Sequence, residues 1–347
     1  MVSAFFLKIG DRFYAIKATA FDLEGTVIDL EWAHHKLHRQ IAKDVIGISL
    51  PVDDEKLLEV VPNFYGGPDT LVYRQILEFA KAQGIEVDGI NISDLITRKE
   101  SLFDDLIRNS DIRPRDGASH IMRLLSHNVP IGICSVTRNI QAKTLIEEAK
   151  MEGMVSGQLL LFRSGVTAPK PDPEVYEKAA LEFNIINKTE FSKLQEYKRL
   201  KSTETGVNNV YMVEIQEIKK KMHSLLVFED SPTGVESAVK SGATVIGVPA
   251  VKGENGKTSE AYRQRLLDKG AMVVLEDYHE ILHYLESNMY LFHEGKEGNS
   301  PSSIPVEMDG IFYGSLDRVF FDPDFVEGAV NQRMENHFHG GKESLSA

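Results

Sequence analysis

The stretch FDLEGTVID, Phe21 to Asp29, places two acids, Asp22 and Glu24, two residues apart where an apolar run stops beside a Gly-Thr pair. By itself this reads equally as a strand-end turn, part of an acidic metal site, or a nucleophile with its proton donor. Three later stretches bear on the choice. SVTRN (Ser135 to Asn139) follows a second apolar run, APKPDPEVY sets Lys170 ahead of a helix pattern, and FEDSPTGVESAVKSGA ends a third run on Glu229 and Asp230. A hydroxyl, a lysine and two further acids, each at the end of an apolar run or the start of a helix pattern, are the parts one site for an anionic ester would use. A phosphate monoester is a dianion and repels an attacking carboxylate unless positive charge lies between them. A hard cation such as Mg²⁺ supplies that charge through a few oxygen ligands, and a lysine neutralises more of it.

The elements that would position these residues follow from periodicity. Short buried strands are predicted at Ala18 to Asp22, Val129 to Ser135, Leu225 to Asp230, Thr244 to Val248 and Met272 to Asp277. Segments with helical spacing separate most of them, among them TGVESAVKSG, which ends at a glycine suited to a helix stop. Alternation of strand and helix predicts a doubly wound parallel sheet, whose ligands bind beyond the carboxyl ends of its strands, where the acids stand. Between about Leu30 and Arg113 only helix-like patterns occur, so a helical insertion covering that edge is expected. A polar insertion of mixed charge spans about 188–223, and the Gly/Ser/Pro-rich HEGKEGNSPSS opens a C-terminal extension. The expected division is a core over 1–29 and 114–290, a cap over 30–113, and a linker with extension over 291–347.

Composition limits the partners. The 347 residues are 42% hydrophobic, enough for a substantial core. A formal net charge of −13 argues against nucleic acid or an anionic membrane as the main partner and favours a small ligand. The single cysteine, Cys134, excludes an intrachain disulfide and reads as a small core residue. The opening apolar run is too short for a signal peptide, and no window reaches a membrane-spanning length, so the expected location is cytoplasmic.

Taken together, the four motifs resemble the haloacid dehalogenase-like (HAD) superfamily of phosphohydrolases, in the branch whose helical cap is inserted after the first motif. The resemblance runs over about Ala18 to Glu286 with interruptions, and FEDSPTGVESAVKSGATVIGVP is its most specific part. It implies an α/β, Rossmann-like core with an inserted α-helical cap. In the roles it implies, Asp22 is the nucleophile, Glu24 the acid/base, Ser135 the phosphate-binding hydroxyl, Lys170 the catalytic lysine and Asp230 a magnesium ligand. Glu229 is either a further ligand or a supporting acid, and the Glu24 main-chain carbonyl is a plausible additional ligand. Substrate contacts are expected from Ser135 and the main chain at Val136, from Arg138 and Asn139, from Thr26 in the exit turn, and from His34 at the cap hinge. Thr26 also has a plain reading as a turn residue, and Arg138 and Asn139 as surface residues at a helix start.

The implied activity is magnesium-dependent hydrolysis of a small phosphorylated metabolite through an aspartyl-phosphate. A phosphomutase similar to β-phosphoglucomutase is the alternative, weakened because YGGPDTL stands where that enzyme carries a Ser-Arg pair. A phosphonatase would place a cap lysine near the substrate, and the sequence assigns none. A catalytically weak binding or regulatory protein is a third reading, with the C-terminal extension as a docking segment for a protein partner. Most of the superfamily has Asp where this chain has Glu24, whereas the enolase-phosphatase branch resembles it in having Glu. His34 and His38, four apart, invite a metal reading, but no third ligand is in sequence reach.

Overall fold

The computed structural model of the chain describes residues 4–202, 209–251, 257–294, 304–308 and 311–318. It begins with a hairpin, β1 (Phe5–Ile9) and β2 (Arg12–Ile16), turned at Gly10, whose φ of 59° suits glycine. Sequence reading took this stretch only as an apolar run. The central sheet starts at β3 (Ala18–Phe21), and the next strand in the chain comes only at β4 (Ile131–Cys134). Helices α1 (Glu31–Ile41), α2 (Asp54–Val60), α3 (Asp69–Ala82) and α4 (Ile92–Arg108) lie between, with a π-helical turn, Ala42–Ile46, after α1. Where this interval leaves and rejoins the core the two crossings run side by side: Ile28 bridges Pro114, and Asp29 N donates to Arg113 O at 3.1 Å.

Helix α5 (Ala118–Ser126) leads into β4, and α6 (Asn139–Glu148) and α7 (Glu152–Val155) lead to β5 (Leu159–Leu161). Then come α8 (Glu174–Glu182), α9 (Lys188–Ser202) and α10 (Asn209–Met222), the last two occupying the polar insertion. Strand β6 (Leu225–Glu229) is followed by α11 (Pro232–Ser241), β7 (Thr244–Gly247), α12 (Glu260–Asp268), β8 (Val273–Val274) and α13 (Tyr278–Asn288).

These strands form a six-stranded parallel sheet in the order β5-β4-β3-β6-β7-β8, with apolar clusters on both faces. The doubly wound α/β core expected from the alternation is therefore present. Every residue of β3, β4, β6 and β7 is buried, which is why they read as unbroken apolar runs rather than alternating ones. The fifth predicted strand, Met272 to Asp277, shrinks to the two residues of β8, with Asp277 capping α13 through its side chain.

A second sheet, order β10-β11-β9-β1-β2, joins the hairpin to β9 (Met289–Glu294), β10 (Ile304–Met308) and β11 (Ile311–Arg318). In it β9 pairs with β1 of this chain's own N-terminal hairpin, β11 pairs with β9, and β10 pairs with β11. Most of the predicted linker (295–303) and the histidine-bearing tail lie outside the described residues. No helix among the described residues is long and apolar enough to cross a membrane.

Candidate active site

Parallel register assembles the site. Phe21 pairs with both Ile133 and Phe228, so the residues at and just past the strand ends, Asp22, Cys134 with Ser135, and Glu229 with Asp230, emerge abreast at one edge. The Phe21 and Phe228 rings stack at 4.8 Å and fix that pairing, and Asp22 N donates to Phe228 O at 3.1 Å. Lys170 reaches the same edge from the loop before α8. Its Nζ donates to Asp22 Oδ1, to Glu229 Oε1 at 2.6 Å and to Cys134 O at 3.2 Å, and lies 5.1 Å over the Tyr176 ring. Tyr176 Oη donates to the same Glu229 oxygen at 2.5 Å.

The electrostatics are out of balance. Asp22, Glu229 and Asp230 are buried with their ligand oxygens within 4.8 Å of one another, against the one ammonium of Lys170. Three carboxylates and one ammonium leave two negative charges. Burial therefore pushes the Asp22 carboxyl up from 3.8 to about 8 despite Lys170, and burial with the Glu31 and Asp22 charges pushes Asp230 well above the carboxylate range. Burial opposes the Lys170 ammonium, but Asp22 and Glu229 outweigh it and hold it charged. Glu229 Oε2 and Asp230 Oδ2 are buried without a hydrogen-bond partner. Orphaned carboxylate oxygens, a hard donor set and a deficit of two charges fit a divalent cation such as Mg²⁺.

Two glycines make this approach possible. A Cβ on Gly25 (φ 79°) would stand 2.3 Å from Asp230 Oδ2, and one on Gly234 would stand 2.0 Å from Glu229 Oε2. Thr26 Oγ1 donates to Asp230 Oδ1 at 3.0 Å, and Ser231 caps α11 by accepting from Gly234 N at 3.0 Å.

A cleft of about 610 Å³ opens above the edge, between it and α1, α3 and α4. Asp22, Glu24, His34, Ser135, Val136, Arg138, Lys170 and Asp230 all line it. Glu24 Oε2 lies 2.7 Å from His34 Nε2, whose ring stacks on Phe103 at 4.5 Å, and Glu24 Oε1 accepts from Thr137 Oγ1. Thr137 also bonds Ser135, through Oγ1 at 2.9 Å and its N–H at 3.2 Å.

Other predicted residues go elsewhere. Thr26 is fully buried beneath Asp230 and does not reach the cleft. Asn139 points away, its Oδ1 accepting from Ser164 N at 3.0 Å. Glu229, 0% exposed, lies behind Lys170 rather than on the cleft wall. Arg138 stands at the rim, paired with Asp104 at 3.3 Å and Glu100 at 3.7 Å. His34 and His38 do not converge, since His38 Nε2 faces Asp69 Oδ1 at 3.3 Å. Buried Cys134 has its thiol pushed up to about 12 by burial.

Sequence reasoning passed over Thr137, although it stands inside the quoted SVTRN. It also found no cap lysine, yet Lys99 of α4 lines the cleft, with Nζ 2.5 Å from Asp69 Oδ1. Asp69 falls within YGGPDTL, the stretch that stands where β-phosphoglucomutase carries a Ser-Arg pair, and Gly66 to Thr70 of it line the cleft. No local signal marked Lys99.

No family model matches the chain. It is similar to the (DL)-glycerol-3-phosphatase 1, mitochondrial, of Arabidopsis thaliana, 24% identical over 246 residues, which cover 68% of this chain and 64% of that protein. The match thus spans less than two thirds of that relative's length. Among solved structures, it resembles a conserved haloacid dehalogenase-like protein of unknown function from Agrobacterium tumefaciens, 18% identical with a TM-score of 0.54 over 78% of this chain and 98% of that one. A HAD family hydrolase from Deinococcus radiodurans, with bound phosphate and sodium, is 20% identical with a TM-score of 0.52 over 78% and 96%. The chain has the haloacid dehalogenase-like fold.

Proposed function

We propose that the protein is a magnesium-dependent phosphatase that hydrolyses a small phosphate monoester through an aspartyl-phosphate on Asp22. The observation that carries this reading is the arrangement at the strand ends: Asp22 held by Lys170 and facing the cleft, with Glu24 beside it on the same wall. The name of the Arabidopsis relative, a glycerol-3-phosphatase, points the same way. Asp22 and Asp230 would hold the Mg²⁺ with the Glu24 main-chain carbonyl, and Glu229 would serve chiefly to anchor Lys170. Bound there, the cation offsets the two uncompensated charges and screens the phosphoryl group from the attacking carboxylate.

Lys170 holds Asp22 Oδ1 and leaves the other oxygen to attack phosphorus. As that O–P bond forms, the bond from phosphorus to the leaving alcohol breaks, and Glu24 gives the alcohol its proton. Water then attacks the aspartyl-phosphate, Glu24 takes its proton, and phosphate departs from a regenerated Asp22. Ser135 and the main chain near Val136 would bind phosphoryl oxygens, with Lys170 offsetting their charge. Thr137 and His34 fix the Glu24 carboxylate from two sides and are positioning residues in this scheme. The helical interval 30–113 would act as a cap over the core of 1–29 and 114–290. Lys99 does not revive a phosphonatase, because its ammonium is tied to Asp69.

The test is phosphate release from an aryl phosphate with Mg²⁺. Turnover that EDTA and Asp22→Asn each abolish supports the reading; its absence across a broad phosphate panel favours a binding or regulatory protein.

A further inference from the structure

The wall of the cleft opposite Asp22 carries a second built arrangement. Asp69, at the start of α3, receives Lys99 Nζ on Oδ1 at 2.5 Å, and His38 Nε2 faces the same oxygen at 3.3 Å. All three line the cleft, although Lys99 is only 5% exposed and His38 2%. One carboxylate oxygen of Asp69 and the remaining N–H groups of Lys99 have no hydrogen-bond partner among the described residues. Burial and the Lys99 charge hold His38 near 3, so it is neutral, while the Lys99 charge outweighs burial and keeps Asp69 ionised.

The charges on the cleft wall disfavour one kind of leaving group. Its three Lys and Arg side chains, Lys99, Arg138 and Lys170, are each already ion-paired with carboxylates of this chain. Lys170 is committed to Asp22, Glu229 and the phosphoryl group, so a carboxylate or a second phosphate on the substrate would have to compete with carboxylates of this chain for Lys99 or Arg138, and Glu31, Asp69 and Glu100 on the same wall would repel it. What the Asp69–Lys99 pair does present is a fixed acceptor beside fixed donors, with no net charge. Adjacent hydroxyls complement that pattern, since each both donates and accepts.

We propose that the Asp69–Lys99 pair binds the alcohol portion of the ester as a neutral polyhydroxyl group, so that the substrate is a polyol or sugar monophosphate. Asp69 accepts from one hydroxyl and Lys99 donates to its neighbour. The assignment rests on the phosphatase reading for the site as a whole, but it concerns recognition and is testable by binding alone.

Isothermal titration of the Glu24→Gln protein with Mg²⁺, in which Asp22, Asp230 and the main-chain carbonyl at 24 remain to hold the cation while the proton donor is lost, would compare glycerol 3-phosphate and sorbitol 6-phosphate with four controls. These are propyl phosphate, which lacks the hydroxyls, phosphoglycolate, fructose 1,6-bisphosphate and phosphoethanolamine. The polyol phosphates are expected to bind at least tenfold more tightly than every control, and wild-type kcat/KM is expected to follow the same order. In the Lys99→Met/Asp69→Leu double variant, which removes the pair without leaving a buried lone charge, the preference over propyl phosphate should fall at least tenfold. Equal or tighter binding of any control, no polyol phosphate binding at millimolar concentration, or an unchanged preference in the double variant overturns the proposal. Polyol-selective binding without turnover of any ester would instead sink the phosphatase reading and leave this assignment standing.

Discussion

Replacing Asp22 by Asn should make the metal-free protein more stable, the reverse of what losing a buried ion-pair partner usually does. Asp22 shares one ammonium with Glu229 beside a third buried carboxylate, and its carboxyl is raised from 3.8 to about 8. The folded, metal-free protein therefore binds a proton that the unfolded chain releases. That contribution is fully present below about pH 4 and is lost progressively as pH rises towards 8. By pH 7 the loss is between about 1 and 4 kcal/mol, the upper end being three pH units at about 1.4 kcal/mol each. Asn has no charge to lose, and Lys170 keeps Glu229 at 2.6 Å. In EDTA at pH 7 the variant should melt higher by a few to about 10 °C, and the gap should shrink to less than half at pH 5, where the loss is about 1.7 kcal/mol at most. Mg²⁺ at about 100 times its dissociation constant should add about 2.7 kcal/mol to the wild type and little to the variant, so the gap shrinks by that amount and reverses wherever it is smaller than this. Thermal melts at pH 5, 7 and 8, with EDTA or Mg²⁺, measure this directly. A variant less stable than wild type in EDTA at every pH would refute the charge argument. A full Mg²⁺ response in the variant would refute the ligand assignment.

Three further changes probe the supports of the site. Gly25→Ala puts a Cβ 2.3 Å from Asp230 Oδ2 at a φ of 79°; a cost of about 1–3 kcal/mol and loss of most Mg²⁺ stabilisation are expected, read by calorimetry and metal titration. Thr137→Val removes a donor to Glu24 and should lower kcat about tenfold with KM little changed, whereas Thr137→Ser should restore most of the rate. Glu174 accepts from Thr167 N at 2.8 Å and Ala168 N at 3.1 Å, bracing the loop that carries Lys170. Burial opposes its charge, but hydrogen bonds from Thr167 and Lys178 hold its carboxyl down at about 2 against 4.5. Its stabilisation, about 2–3 kcal/mol, is complete above pH 4.5 and lost as pH falls towards 2, so Glu174→Gln should be clearly destabilised in urea at pH 7 and near wild type at pH 2.

The local sequence was enough to find the fully buried strands along the chain, though neither their order in the sheet nor the half-exposed edge strand β5, because a strand covered on both faces must be apolar throughout and its ligand-facing end is where polar residues can resume. Asp22, Ser135, Lys170 and Asp230 were legible for that reason, each standing at a strand end or a helix start. Partner choice across the cleft was not. Glu24 is held by His34 from one side and Thr137 from the other, 10 and 113 residues away, and Lys99 meets Asp69 across 30 residues. Those contacts depend on how α1, α3 and α4 settle over the sheet edge, which no window of neighbouring residues encodes. The same holds for Thr26, whose turn hydroxyl is drawn beneath Asp230, and for the second sheet, where Phe5 pairs with Leu291. Residue type and position along the chain determined which groups the site contains. Only tertiary packing decided which carboxylates face the cleft, which is buried behind the lysine, and what stands on the wall across from Asp22.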